Sequence, residues 1–322
     1  MVLAGGVGSR LRPWTDTVPK PLLPMLDRTL LEQVVWGMPE GLVDEIVVAG
    51  GYRVEQITEH FATREQGIEV TIVEETEPLG TGGALGNCSD VVSGRFACFN
   101  GDVITSLRME DALDVHTKNG GIGTLALWEV EDPTRFGIVG LDAHQRVTAF
   151  KEKPKPEEVF SNLINAGSYL LEEEVFDVMP SGRHSLERDV FPMLAQREQL
   201  NGVPFEGYFI DAGTPTSWSD GVEACIAHGR FTSGHVVEWF MVRNGTSTSR
   251  SAASWLDVWS RCHGKGRDRE PFNVVGRGRR GCGEQPDRRF GGPRCRHWRR
   301  VRPAGRGARS ARRGRGRRTP HR

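Results

Sequence analysis

Strand-like and helix-like segments alternate over residues 2–130 of this chain of 322 residues. Short apolar runs, such as residues 45–49 and 96–100, lead into turns that contain glycine, and amphipathic stretches such as residues 109–119 lie between them. This order predicts an α/β fold, with a Rossmann-like, mainly parallel sheet and helices on both of its faces. Ligands of such sheets bind at the carboxyl ends of the strands, so the residues that follow each strand are the first candidates for a functional site.

The same patterns place the individual elements. Residues 29–32 have the capping-box pattern Thr-Leu-Leu-Glu, which predicts a helix that runs toward residue 36. The first strand, at residues 2–4, is short, and we expect its beginning to be missing from this chain. Further strands are predicted at residues 45–49, 69–74, 96–100, 124–130, 164–171 and 207–210, a hairpin at 136–142 with 146–150, and helices at 54–61, 82–92, 109–119, 172–179 and 186–196.

A glycine-rich turn follows the first strand. Gly5, Gly6 and Gly8 come first, and Arg10 and Lys20 follow them. Glycines let backbone N–H groups approach phosphate oxygens, and two cations balance the charge of the anion. The segment has neither the third glycine of the dinucleotide fingerprint nor the Gly-Lys-Ser/Thr of a P-loop. It predicts an anion-binding turn of another kind, with an ordinary strand-to-helix turn as the alternative.

Two aspartates lie directly after predicted strands. Asp102 follows the strand at residues 96–100 and one glycine, and Asp211 follows the strand at residues 207–210. Magnesium in proteins takes one or two carboxylates together with phosphate oxygens, so this pair predicts a magnesium site. The alternative is that each aspartate accepts hydrogen bonds from its own turn.

Three further segments have ordinary interpretations when each is taken alone. The charged run at residues 151–154 is typical of a solvated surface. The glycines at 80–83 are typical of a tight helix entry, and residues 165–167 of a turn that leads into a strand.

Taken together and in order, these segments resemble the sugar-nucleotide pyrophosphorylase (nucleotidyltransferase) family. The resemblance covers roughly residues 1–220, and residues 77–81 and 185–192 make the mannose-1-phosphate guanylyltransferases the most similar branch. The segments that carry it are 3–11, 19–24, 77–85, 100–102, 150–154, 165–167 and 211–213.

The resemblance implies an enzyme that joins a sugar 1-phosphate to a nucleoside triphosphate and releases pyrophosphate. The favoured pair is GTP with mannose 1-phosphate, which gives GDP-mannose. The alternatives are a glucose-1-phosphate thymidylyltransferase or uridylyltransferase, and a non-catalytic homologue that binds a nucleotide sugar.

The resemblance also implies a role for each residue that matches a family motif. Arg10 and Lys20 would neutralise the triphosphate, and Lys153 would hold the sugar phosphate. Asp102 and Asp211 would bind Mg²⁺ as the cofactor. The nucleotide would be bound by Leu3, Ala4, Gly5, Gly6, Gly80, Thr81 and Asn100, and the sugar by Gly137, Glu152 and Asn165.

The charge of the chain changes abruptly near residue 230. Residues 1–230 contain 18 Lys and Arg against 36 Asp and Glu, a net charge of −18, whereas residues 231–322 contain 24 against 6, a net charge of +18. We therefore predict a nucleotidyltransferase domain at residues 1–228 and a disordered or aberrant basic tail, rich in arginine and glycine, at 229–322. The tail is interpreted either as an out-of-frame reading of a GC-rich gene, which we favour, or as a basic arm for nucleic acid.

Other features limit the location and the partners of the protein. Cys88, Cys98 and Cys225 have neither metal nor disulfide spacing, which indicates free thiols in a reducing compartment. The sequence contains no signal peptide and no membrane span. We expect a cytoplasmic protein whose partners are the two substrates, without a membrane or nucleic-acid partner, and a homo-oligomer is left open.

Overall fold

The computed structural model describes residues 1–39, 41–62 and 68–231. The helices in these ranges are α1 (Leu30–Val34), α2 (Val54–Ala62), α3 (Gly80–Gly86), α4 (Met109–Asn119), α5 (Val175–Val178), α6 (Phe191–Gln196) and α7 (Pro215–Ala227). The strands are β1 (Val2–Ala4), β2 (Pro24–Met25), β3 (Arg28–Thr29), β4 (Glu45–Gly50), β5 (Glu69–Glu74), β6 (Phe96–Asn100), β7 (Val103–Thr105), β8 (Gly123–Glu129), β9 (Gly137–Leu141), β10 (Val147–Glu152), β11 (Leu163–Leu171), β12 (Leu200–Pro204) and β13 (Phe209–Asp211).

The predicted α/β class is confirmed, and within the described residues its central sheet has nine strands. Strand β1 pairs in parallel with β4 and β6, and β4 pairs in parallel with β5. Next to this parallel group, β11 runs antiparallel to β6, β8 and β9, and β9 forms the predicted hairpin with β10. The parallel group aligns the carboxyl ends of β1, β4 and β6 at one edge, where the glycine-rich turn and Asp102 follow.

Local sequence accounts for the start of α1. The Thr29 hydroxyl accepts a hydrogen bond from the Glu32 N–H at 3.3 Å, and the Thr29 N–H donates to the Glu32 carboxylate at 2.6 Å. The first N–H groups of a helix have no carbonyl acceptor within the helix, and this reciprocal capping box gives two of them hydrogen-bond partners. The helix then buries Leu30 and Leu31.

One hydrophobic cluster fixes the backbone beside the predicted site residues. Leu11, Ile104 and Ala212 are fully buried around Trp218 of α7. Leu11 is the neighbour of Arg10, and Ala212 is the neighbour of Asp211. Ile104 lies two residues after Asp102. The packing of this cluster therefore holds the segments of Arg10, Asp102 and Asp211 in place.

Several predicted elements differ from the structure. Helix α3 spans Gly80–Gly86 instead of residues 82–92, and residues 186–196 begin with a π-helical turn, Leu186–Val190, before α6. Strands β7 and β12 and helix α7 had no predicted counterpart. Arg230 is buried, and its guanidinium donates to the Thr105 carbonyl at 3.2 Å, so the packed fold includes this residue. The rest of the predicted tail, residues 232–322, lies outside the described residues.

The cysteines agree with the expectation of free thiols. Cys88, Cys98 and Cys225 are buried and unbonded to one another. Burial raises the pKa of Cys98 to about 12 and that of Cys88 to about 11, which leaves both thiols protonated at neutral pH. Among the helices that the structure describes, none combines the length and the apolar character that a membrane crossing requires.

Candidate active site

The glycine-rich turn and the end of β6 meet in an ion pair between Lys20 and Asp102. The Lys20 ammonium donates to Asp102 Oδ2 at 2.5 Å. Only 8% of Lys20 is exposed, so this cation depends on a nearby carboxylate for its charge balance. One residue predicted for the triphosphate and one predicted for the metal thus share a site.

Asp211 lies beside Asp102 because β13 pairs with β7. Asp211 stands opposite Val103 in this antiparallel pair, and the Ala212 N–H donates to the Asp102 carbonyl at 2.8 Å. Asp211 Oδ1 is buried and has no hydrogen-bond partner. Burial raises the pKa of Asp211 and the charge of Asp102 raises it further, against the opposing effect of the nearby cations. Lys20 pairs with Asp102 Oδ2, whereas Asp211 Oδ1 is left without a partner.

This pair suits a cation that also binds phosphate. In the described ranges, no three histidine, cysteine or acidic residues gather into a complete metal site. Two carboxylates with further ligands from phosphate and water are the environment that magnesium prefers.

Arg10 packs against the same loop as Asp211. Gly8, at φ +66°, precedes the short 3₁₀ turn Ser9–Leu11 that carries Arg10. A Cβ at Gly213 would lie 2.5 Å from the Arg10 guanidinium and 2.7 Å from Asp211 Oδ1. Glycine at position 213 therefore allows cation and carboxylate to approach, which explains its place in the 211–213 motif.

A buried polar network lies behind Asn100. The Asn165 amide donates to the Tyr169 hydroxyl at 3.0 Å, and Asn100 also shares a hydrogen bond with that hydroxyl. Gly167, at φ +67°, would place a Cβ 2.7 Å from the Asn100 amide nitrogen. Two residues predicted from the sequence are thus joined by Tyr169, which was not predicted. Asn100 Oδ1 is buried without a hydrogen-bond partner.

Lys153 directly follows β10 and lies on a different side of the site. Its ammonium is 3.4 Å from Glu152 Oε1, and its side chain is 59% exposed. The backbone of Lys153 has φ +47°, a conformation that costs an L-residue roughly 1–2 kcal/mol. The Lys153 N–H donates to the Phe136 carbonyl at 2.9 Å, which holds this conformation and fixes the base of the side chain.

A second carboxylate, Glu187, connects Glu152 with the segment at Thr81. Glu187 accepts hydrogen bonds from the Thr81 and Ser185 hydroxyls, both at 2.7 Å. Burial raises the pKa of Glu152, and the charge of Glu187 raises it further. Glu187 was not singled out from the sequence, although it belongs to the quoted segment 185–192.

The glycines of α3 pack on the backbone of His184. The N–H groups of Gly82 and Gly83 donate to the His184 carbonyl at 3.1 and 3.3 Å. Gly80 has φ +75°, and a Cβ there would lie 2.5 Å from the same carbonyl oxygen. This close packing accounts for glycine at position 80, and its contact with a nucleotide stays a prediction.

A substitution at Gly80 tests this account. We expect Gly80→Ala to destabilise the protein by about 2–4 kcal/mol, because strain at positive φ adds to a backbone clash. The matched control is Gly94→Ala, since Gly94 has φ +62° and open space around the added Cβ. The control is expected to cost only the strain, about 1–2 kcal/mol. Urea denaturation measures both losses, and equal losses would contradict the clash.

Comparisons with known proteins show the family to which the chain belongs. The model of the nucleotidyl transferase family matches residues 1–227. The chain belongs to this family. It is 36% identical over 228 residues to mannose-1-phosphate guanyltransferase of Saccharomyces cerevisiae, a match that covers 69% of this chain and 63% of that protein. It is 31% identical over 227 residues to mannose-1-phosphate guanylyltransferase catalytic subunit beta of Drosophila melanogaster, covering 69% of this chain and 61% of that protein.

A solved structure is also similar to this chain. HddC from Yersinia pseudotuberculosis, complexed with GMP-PN, is 25% identical with a TM-score of 0.56, covering 69% of this chain and 96% of that chain. The present chain therefore spans less than two thirds of the two guanyltransferases but nearly all of HddC.

In this nucleotidyl transferase, the predicted residues form two groups. Arg10, Lys20, Asp102 and Asp211 lie together at the carboxyl ends of the parallel strands. Glu152 and Lys153 lie together on the antiparallel side. The strand residues Leu3 and Asn100 are register partners in β1 and β6, and they connect the glycine-rich turn with the polar network.

Proposed function

We propose that this protein transfers a nucleotidyl group from GTP to mannose 1-phosphate, giving GDP-mannose and pyrophosphate. The observation that carries the proposal is the cluster of Arg10, Lys20, Asp102 and Asp211 beside the glycine-rich turn. The choice of substrates is supported by the relatives named mannose-1-phosphate guanyltransferase. Because the chain spans only 63% of the yeast relative, the activity is tested on this chain itself.

The reaction requires little covalent chemistry from the protein. An oxygen of the sugar phosphate attacks the α-phosphorus of GTP, a new P–O bond forms, and the bond to the β-phosphate oxygen breaks. Pyrophosphate leaves with the electron pair of that bond. The attacking phosphate is already ionised near neutral pH, so no general base is needed. The protein's part is to bring two polyanions together and to stabilise the developing charge.

The residues divide this task between the two groups of the site. Arg10 and Lys20 bind the triphosphate through its leaving end, and Lys153 holds the sugar phosphate against the α-phosphorus. Asn100 and the backbone of residues 3–6 bind the nucleoside. Glu152, Asn165 and Gly137 line the sugar site, where the two carboxylates Glu152 and Glu187 accept hydrogen bonds from hydroxyl groups.

Asp102 and Asp211 hold a magnesium ion in this proposal. Support comes from the orphaned Oδ1 of Asp211 and from the mutual repulsion of the two carboxylates. When bound, the ion supplies positive charge to the phosphate oxygens. The free, buried thiols support a cytoplasmic location.

The experiment is a pyrophosphate-release assay over four nucleoside triphosphates and several sugar 1-phosphates, with magnesium present. We expect the highest kcat/KM for GTP with mannose 1-phosphate. A preference for UTP or dTTP with glucose 1-phosphate would replace the guanylyl assignment with the uridylyl or thymidylyl one. Nucleotide-sugar binding without turnover of any pair would contradict the enzymatic proposal.

A further inference from the structure

Residues 8–20, here called the cation loop, carry Arg10 and Lys20 and are held from the side by the segment that follows β4. Three side chains of that segment donate hydrogen bonds to three consecutive carbonyls of the loop. The pairs are Tyr52 with Thr15 at 3.0 Å, Arg53 with Asp16 at 2.7 Å, and Gln56 with Thr17 at 3.3 Å. The loop is therefore tied to the segment after β4 as well as to Asp102 after β6.

Tyr52 and Arg53 also contact each other. The Tyr52 hydroxyl donates to the loop and accepts a hydrogen bond from Arg53 Nε at 3.0 Å. The backbone of Arg53 has φ +54°, a conformation that costs an L-residue free energy. Such a conformation persists only where the surroundings determine it, and it is most frequent at sites with a function. The contacts of the Arg53 guanidinium with the Tyr52 hydroxyl and the Asp16 carbonyl supply that determination here.

The contact between Tyr52 and Thr15 continues to the glycine-rich turn. Thr15 is 1% exposed, and its hydroxyl donates to the Gly8 carbonyl at 2.9 Å. That carbonyl also accepts the hydrogen bond that begins the 3₁₀ turn Ser9–Leu11. A Cβ at Gly8 would lie 2.9 Å from the Thr15 methyl group and 3.1 Å from Lys20 Cβ. The position of Thr15 therefore determines the spacing of the two cations.

The cation loop needs such support because its own secondary structure is short. A 3₁₀ turn of three residues is not stable alone, since nucleation fixes several dihedral angles in return for one hydrogen bond. Cations that are already held in the geometry of the bound state lose little conformational freedom when a polyanion binds. Outside constraints on the loop are thus expected to increase its affinity for phosphate.

We propose that Tyr52 and Arg53 are positioning residues that hold the cation loop in the conformation that binds a triphosphate. The inference rests on the proposed function, because it takes the glycine-rich turn as the triphosphate site. It goes further by giving a part in substrate binding to two residues that act through the loop and not by contact with the ligand.

The test measures binding of GTP and of inorganic tripolyphosphate to wild type and to Tyr52→Phe by calorimetry, with magnesium present. Tripolyphosphate has no base and no ribose, so it reports on the phosphate site alone. Phenylalanine keeps the ring and removes the hydroxyl that bonds Thr15 and Arg53. We expect Tyr52→Phe to bind both ligands about three- to tenfold more weakly, the factor that an intramolecular hydrogen bond contributes.

Two further variants separate loop positioning from a general loss of stability. Tyr208→Phe is the matched control, because the Tyr208 hydroxyl accepts a hydrogen bond from Arg230 at 3.1 Å instead of bonding the cation loop. It is expected to bind both ligands within about twofold of wild type. Arg53→Gly removes the guanidinium but relieves the strain at φ +54°, since glycine adopts positive φ freely. It is expected to weaken both ligands about three- to tenfold while its thermal stability stays close to that of wild type.

Steady-state kinetics locates the effect on one substrate. Lys153, which holds the sugar phosphate in the proposed mechanism, lies in the other group of the site. Tyr52→Phe is therefore expected to raise KM for GTP about three- to tenfold and to leave KM for mannose 1-phosphate unchanged. An equal rise in both KM values would contradict an effect through the cation loop.

The outcomes distinguish this inference from the proposed function. Unchanged binding of GTP and tripolyphosphate in Tyr52→Phe and Arg53→Gly would overturn the inference, even if the wild-type enzyme makes GDP-mannose. An equal loss in Tyr208→Phe would also overturn it. A wild-type protein that binds both ligands, loses affinity in the two loop variants and yet turns over no substrate pair would support the inference and contradict the proposed activity. A wild-type protein that binds neither ligand would contradict both.

Discussion

Replacement of Lys153 by alanine is expected to lower the turnover number by at least about 100-fold while the protein stays folded. In the proposed mechanism its ammonium holds the sugar phosphate, and removal of one preorganised group that stabilises transition-state charge costs about 10²–10³ in rate. The side chain is 59% exposed and its one ion pair, with Glu152, is 3.4 Å long, so its contribution to stability is small. Alanine also retains the Lys153 N–H, which bonds the Phe136 carbonyl.

The neighbouring lysine provides the control. Lys151 lies two residues earlier, is 48% exposed and pairs with Glu158 at 3.0 Å. Lys151→Ala changes the net charge equally and is expected to keep turnover within about threefold of wild type, since surface charges so placed contribute little. Steady-state kinetics of both variants measures the loss of turnover, and thermal denaturation measures any loss of stability. Near-normal turnover in Lys153→Ala would remove Lys153 from the proposed mechanism.

The parts of the fold that were predictable from the sequence depend on local patterns. The capping box at Thr29, the apolar runs of β4 and β6 and the period of α4 are each encoded within a few residues. Helix α7 was not predicted, although Thr214 caps it and Pro215 lies in its first turn. A Cβ at Gly221 would lie 3.2 Å from the Met25 methyl group, so tertiary packing and not helix propensity explains this residue.

The site residues also divide into those that local sequence indicates and those that only tertiary contacts reveal. Asp102 and Asp211 were found because each follows a strand, and the structure places them side by side. Tyr169 and Glu187 have partners far along the chain, since Tyr169 shares a hydrogen bond with Asn100 and Glu187 accepts one from a hydroxyl 106 residues away. Polar residues in loops carry no periodic signal, so these contacts only emerge once the strands are assembled.

Replacement of each aspartate by asparagine is expected to change the free energy of unfolding in opposite directions. Both variants are expected to lose activity. Asp211→Asn removes a buried charge that Asp102 repels and that has no hydrogen bond at Oδ1, so we expect a small rise in the free energy of unfolding. Asp102→Asn removes the carboxylate that pairs with the buried ammonium of Lys20 at 2.5 Å, so we expect a loss of about 1–3 kcal/mol.

The pH dependence of unfolding gives a second readout for Asp211. Its pKa in the folded protein is raised above the ordinary value of 3.8, chiefly by burial. The unfolded chain therefore ionises this group first, and the contribution of Asp211 to stability declines as the pH rises from 3.8 through the raised pKa. Asp211→Asn is expected to lack this decline, whereas Asp102→Asn is expected to reduce it, because the repulsion between the carboxylates is gone.

Turnover links these stability effects to the proposed magnesium site. Each asparagine variant is expected to reduce kcat by at least about 100-fold with magnesium present, as the loss of charge stabilisation on the phosphates predicts. Denaturation with and without GTP and magnesium supplies a readout besides activity, because a bound ligand stabilises the folded state in proportion to its affinity. Wild type is expected to gain stability from the two together, and both variants are expected to gain much less. An Asp211→Asn protein that is less stable than wild type would show that this carboxylate stabilises the fold. One that retains full turnover would show that it does not bind a catalytic cation.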